Sequence, residues 1–208
     1  MSKKTKTILS LICNATVLTV TTVIITCYFV FGHELLGEGY KSFLLFTTDA
    51  NVLAAVGSGL VIICDVKILQ GKRTAVARPF TLLKYAGVVS LMLTFFVVLF
   101  LLIPVYGIAM QWGGRGFYNH LLAPVITFVS FVFFDPHTKL RLRDSFFAII
   151  PGLIYGAMYF LQVVVFKNWI DFYALNSGGF WFLIMPFVIL STYMMSLFVR
   201  FIRNKTIG

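Results

Sequence analysis

Charge is scarce in this sequence, and acidic charge is scarcest. Of its 208 residues, seven are Asp or Glu and 17 are Lys or Arg, so charged residues make up 12%. A soluble domain of this length needs a polar shell, which so few charges do not supply. Cysteine is equally sparse. Cys13, Cys27 and Cys64 fall in apolar stretches without metal-ligand or redox spacing, and read as buried thiols. No metal and no cofactor is expected. The sequence has no Gly-rich phosphate loop, no Gly-x-Ser-x-Gly elbow and no His-Glu-x-x-His, so the signatures of the common soluble hydrolases and metalloenzymes are missing. It has no internal repeat and no low-complexity segment.

What is present is hydrocarbon. Hydrophobic residues make up 60% of the chain, and the mean hydropathy is +0.95. A helix needs roughly 20 apolar residues to span the hydrocarbon core. Six such runs are predicted, over about 7–31, 43–69, 82–105, 117–134, 146–166 and 180–202. Glycine, proline and polar residues separate them, as at Gly71–Pro79, Gly113–Gly116, Asp135–Pro136 and Ser177–Gly179. They use almost the whole chain, so one all-α, polytopic domain over 1–208 is expected. The first run lacks a small-residue cleavage site and reads as a helix retained in the protein.

The basic residues set an expected orientation. All of them lie in the N-terminal tail, the even connectors and their flanks, or the C-terminal end, except Lys41, Arg115 and Lys167. This includes Lys84, counted as a flank, and Arg203. Cytoplasmic loops collect Lys and Arg, so both termini are expected in the cytoplasm. The net charge of +10 then reflects membrane orientation, and no nucleic acid partner is expected. Trp112, Trp169 and Trp181 fall at the outer boundary, where indoles favour the interface.

Polar residues at membrane depth need a reason. Thr47, Thr48, Asp49 and Asn51 open the second run. Thr47 and Asn51 are four apart and share a helix face, while Asp49 points about 200° away. Asn119, His120 and Pro124 open the fourth run at nearly the same depth. Pro124 lacks an N–H, which frees the His120 carbonyl and opens the helix there. The plainer readings are threonines bonded back to their own helix, Asp49 clasped to a Lys or Tyr, and His120 as an interhelical hydrogen-bond partner. Asp65 and Lys67 read as a pair at the cytoplasmic end. Tyr155, Tyr159 and Gln162 are candidates to line the interior. His33 and His137 lie in connectors and have no assigned role.

Phe46-Thr47-x-x-x-Asn51, the 83–95 run, His120-x-x-x-Pro124 with Ser130-Phe131-x-Phe133-Phe134, the 151–159 stretch and Asp171-Phe172-Tyr173 resemble a family of bacterial six-helix membrane proteins. More distantly the layout is similar to the androgen-induced and androgen-dependent membrane hydrolases of fatty acid esters of hydroxy fatty acids. That resemblance implies a threonine nucleophile at Thr47, with Thr48 as the alternative, and a histidine base at His120. The substrate it implies is a lipid ester taken from the outer leaflet. A hydroxyl needs such a base to attack a carbonyl, and Asn51 or Asn119 is a candidate oxyanion donor. A second class is a non-enzymatic protein that binds membrane lipids or couples transport to protons through Asp49 and His120. Transport by so small a chain implies a homo-oligomer.

Overall fold

A computed structural model describes residues 1–33, 36–136 and 138–207. Glu34 and His137 lie outside the described residues. Among those described, the chain is helical with no strand, and six helices are long and apolar enough to cross a membrane. They are α1 (Lys3–Phe31), α2 (Phe46–Leu69), α3 (Arg78–Tyr106), α4 (Arg115–Phe134), α5 (Asp144–Val165) and α6 (Trp181–Thr206). Each expected run is found, shifted by a few residues at its ends. The start of α1 and the end of α6 both lie against the end of α4, at what is called here the terminal end.

The helix ends follow from local chemistry. The Ser2 hydroxyl accepts from the Thr5 N–H and caps α1. Gly32, at φ 78°, ends it in a conformation that side chains disfavour. Pro79 and Pro104 sit where a proline costs least: Pro79 opens α3, and Pro104 follows a π-helical turn over Val98–Leu102.

The centre of the bundle is α3, which packs on α2, α4, α5 and α6, while α1 packs on α2 and α4. Small residues permit the closest of these contacts. A Cβ on Gly57 of α2 would lie 2.9 Å from the Lys84 Cα, and one on Gly87 of α3 would lie 2.8 Å from the Ala54 Cα. Backbones that approach this closely gain van der Waals contact that lipid tails do not match. Large side chains such as Phe100, Ile154, Phe187 and Phe201 remain exposed on the outer surface, as expected of a lipid-facing wall.

Two expectations, for Lys84 and for Asp65, are corrected at the terminal end, and Arg203, at the C-terminal end as expected, is found buried. Lys84 is not a connector flank: it is fully buried in α3, and its Nζ donates to Asn14 Oδ1 at 2.7 Å and to Ser58 Oγ at 2.5 Å. Arg203 is also buried. It donates to the Phe131 carbonyl at 2.6 Å and stacks over the Phe131 ring at 3.7 Å. Asp65 does not pair with Lys67, which is exposed; it accepts from Ser10 Oγ at 2.7 Å. Hydropathy averages do not show which way each of these side chains turns, so their burial could not be read from the run. At the same end Arg78 forks onto both oxygens of Asp144 at 2.8 Å, which also accepts from the Arg141 N–H.

Candidate functional site

Two polar groupings lie at the end opposite the termini, and they are distinct. The first surrounds a cavity of about 440 Å³ between the far halves of α3, α5 and α6 and the start of α2. Leu93, Val97, Leu101, Leu153, Phe160 and Met185 supply much of its apolar lining. Leu153 and Ile189 are also exposed on the outer surface, so the cavity borders the lateral wall of the bundle. Gly152 and Gly156 keep it open, because any larger residue there would project into it.

A cluster of aromatic side chains, three of them tyrosines, closes the far end of this cavity. Tyr155, Tyr159, Tyr173 and Trp181 line it. Tyr155 donates to the Leu44 carbonyl at 2.7 Å, and Tyr159 donates to Asp171 Oδ1 at 2.8 Å. Asp171 in turn receives the Leu175 and Asn176 N–H groups at 3.0 and 2.8 Å, which fixes the loop before α6. The Tyr173 phenol oxygen is buried without a well-formed hydrogen bond among the described residues, and its polar neighbours are Thr47 and Tyr155. Burial holds its pKa above the usual tyrosine range. Tyr173 is therefore a neutral donor, not a base.

Thr47 lies on the cavity wall, one residue into α2. Thr48 is buried but does not line it. Asp49 turns away, as its helix position requires. It is half-buried in a second groove of about 340 Å³ with Leu53, Ser90, Pro151 and Met158, and the shared residues Phe46 and Tyr155 separate the two spaces. No ion pair holds Asp49 among the described residues.

The second grouping joins α1, α2 and α4. Ala123 N–H donates to the Tyr118 carbonyl, five residues back, closing a π-helical turn just before Pro124. The opening expected at Pro124 is thus a wide turn. It releases the Asn119 carbonyl from its α-helical partner, and that carbonyl takes a hydrogen bond from Asn51 Nδ2 at 3.4 Å. Asn51 Nδ2 also donates to the Thr47 carbonyl at 2.8 Å, and Asn119 Nδ2 donates to the Tyr28 phenol at 2.8 Å. The Nδ2 groups of both amides are thereby engaged.

His120 is half-buried in the same π turn, and its Nδ1 lies 2.8 Å from the Gln111 carbonyl. A carbonyl only accepts, so Nδ1 carries the hydrogen and Nε2 holds the lone pair. His120 does not line the cavity, and no hydrogen bond joins it to Thr47 or Thr48 among the described residues. The structure brings Asn51, Asn119 and Pro124 together with His120 around one wide turn, and it places Thr47 with Tyr155 and Tyr173. The tyrosine-rich end of the cavity was only partly foreseeable. Tyr155 and Tyr159 carried an interior signal, whereas Gln162 instead accepts from Asn168 Nδ2 at 3.1 Å. Tyr173 sits in a connector, where periodicity has nothing to say.

Among the described residues, no group of three or more His, Cys, Asp or Glu could hold a metal ion. No family model, no curated protein and no solved structure matches this chain.

Proposed function

We propose that this chain is a multi-pass membrane protein whose termini lie in the cytoplasm and whose cavity takes up a single lipid acyl chain from the outer leaflet. The observation that carries this reading is the 440 Å³ cavity itself. It is walled by hydrocarbon, bordered by surface-exposed Leu153 and Ile189, and ended by the Thr47 hydroxyl and the Tyr173 phenol. Apolar pockets with a few placed polar groups bind ligands of matching pattern. An acyl chain fills the apolar length, and its carbonyl or headgroup oxygen accepts from the hydroxyls.

The test is equilibrium binding of a fluorescent fatty-acyl lipid to the purified protein in nanodiscs. Gly156 lines the cavity, and a Cβ there would meet the flexible end of Met185 at 3.4 Å, so Gly156→Trp is expected to fill the space. Binding is expected to fall by at least tenfold in that variant, which is the loss of about 1.4 kcal/mol or more. Undiminished binding by a folded Gly156→Trp protein overturns the reading.

A second reading, threonine hydrolysis of a lipid ester, draws on two observations. Thr47 lies on the cavity wall, and the Gln111 carbonyl fixes the tautomer that leaves His120 Nε2 basic. It requires the π turn of α4 to move His120 toward Thr47. Release of fatty acid by the wild type, lost in Thr47→Ala and in His120→Ala, supports it. Equal activity in all three removes both residues from the chemistry.

A further inference from the structure

The buried face of α1 is polar along most of its length. Thr7, Asn14, Thr21 and Tyr28 recur every seven residues, about two turns, and Ser10 joins them; all are buried. On α2 the same interval separates Asn51, Ser58 and Asp65, again all buried. The buried face of α4 carries Asn119, Thr127 and Ser130, and buried Asp135 follows its last residue. Helices α1, α2 and α4 pack on one another. From Ser10 to Tyr28 is 18 residues, or about 27 Å of helix, against roughly 30 Å of hydrocarbon. The polar column therefore reaches nearly the thickness of the hydrocarbon. Its residues, apart from Asn51, which bonds to Thr47, lie on or next to helices α1, α2 and α4 away from the cavity lining.

Its middle is under-satisfied. Thr16, Thr22 and Thr26 donate to the carbonyl four residues back, as helix threonines do in membranes. Thr21 does not. Thr21 Oγ1, Thr127 Oγ1 and Asn51 Oδ1 are buried without a hydrogen-bond partner among the described residues. A buried polar atom of this kind is costly unless something bonds to it.

Its terminal end has a proton-counting problem. Ser10 Oγ lies 2.7 Å from Asp65 Oδ2 and 3.0 Å from Asp135 Oδ1, yet a hydroxyl has one hydrogen. It donates to one carboxylate, and the other contact is satisfied only when that carboxyl carries a proton. Asp135 Oδ1 already accepts from Ser130 Oγ at 2.6 Å and from Asn14 Nδ2 at 3.0 Å. Asp65 Oδ1 and Asp135 Oδ2 are buried with no partner among the described residues. The other charged and titratable groups facing the pair are Lys84 from α3, Arg203 from α6 and Cys13 from α1.

We propose that the facing surfaces of α1, α2 and α4 form a proton path across the membrane, with Asp65 and Asp135 sharing one proton across Ser10 as its terminal-end station. Water is the mobile co-reactant, ordered by Asn51, Thr21 and Thr127. A proton arriving from the far end bonds to a water or hydroxyl oxygen, which passes its own hydrogen onward. At the station the proton forms an O–H bond on one carboxylate oxygen. That bond breaks when a water at the terminal end accepts the proton, so nothing is oxidised or reduced.

The test is proton flux into proteoliposomes that contain a trapped pH dye, driven by a potassium diffusion potential. The wild type is expected to exceed empty vesicles, with no dependence on sodium. Flux is expected to fall several-fold in Asp65→Asn and in Thr21→Val. Thr21→Val removes a hydroxyl that bonds nothing and leaves the station intact, so it folds even if Asp65→Asn does not. Wild-type flux no greater than empty vesicles, a sodium-dependent flux, or an unchanged flux in folded Thr21→Val overturns the proposal.

Discussion

Lys84 of α3 donates to Asn14 of α1 across 2.7 Å with the ammonium sealed from solvent. The bond ties the helix that opens the chain to the helix at the centre of the bundle. Isolated buried charges are costly, and a hub like this holds only if its members stay together.

Replacing Lys84 with Met leaves Asp65 and Asp135 without their buried counter-charge on α3. Removing one partner of a buried ionic group typically costs about 3–5 kcal/mol. Thermal unfolding of the detergent-solubilised protein is expected to show a large loss for Lys84→Met. A small loss would show that Arg203 alone balances the carboxylates.

Backbone approach between α2 and α3 gives a paired prediction. Gly87→Val places carbon against the Ala54 backbone, 2.8 Å from a Cβ, and overpacking costs about 1–3 kcal/mol or more. Gly59→Ala is the control. Its Cβ meets only Leu18 Cδ2 at 4.0 Å, and alanine in a helix gains about 0.5–1 kcal/mol over glycine. The two variants are expected to move the unfolding midpoint in opposite directions.

Asp144 accepts a fork from Arg78 and an N–H from Arg141. Arg78 is 35% exposed, so part of the ion-pair energy is screened. Asp144→Ala is expected to cost about 1–3 kcal/mol. Asp144→Asn, which keeps an acceptor for the Arg141 N–H, is expected to cost less. Equal losses would assign the whole effect to charge.

Tyr173 gives a pH prediction. Its phenol is raised above the usual value of ~10 by burial. Through this group, lipid binding is expected to stay level through neutral and mildly alkaline pH and to weaken only above the usual tyrosine value of ~10, as the donor loses its hydrogen. A binding midpoint near neutrality, absent in Tyr173→Phe, would contradict this.

Much of this was legible in the sequence. Helix count and extent follow from run length, because a spanning helix must be long and apolar whatever its neighbours are. The divergence of Asp49 from Asn51 follows from helix periodicity, and the wide turn at Pro124 from the missing N–H. What sequence could not place was relative rotation. Thr47 and His120 were expected at similar depth, yet Thr47 lines the cavity with residues of α5 and α6, while α4 holds His120 against Gln111. The buried bonds of Lys84, Asp65 and Arg203 were not legible either, because their partners, Asn14, Ser10 and Phe131, come from distant parts of the chain.

The central claim is that hydrocarbon from a lipid fills the space between α3, α5 and α6. A lipid carrying a photoreactive diazirine near its chain terminus, incorporated with the protein in nanodiscs, tests it directly. Peptide mapping after illumination is expected to place the label on cavity residues such as Val97, Leu101, Gly156 and Met185, and to lose it in Gly156→Trp. Labelling confined to outward side chains such as Phe100, Phe187 and Phe201, and the same in both proteins, would contradict it.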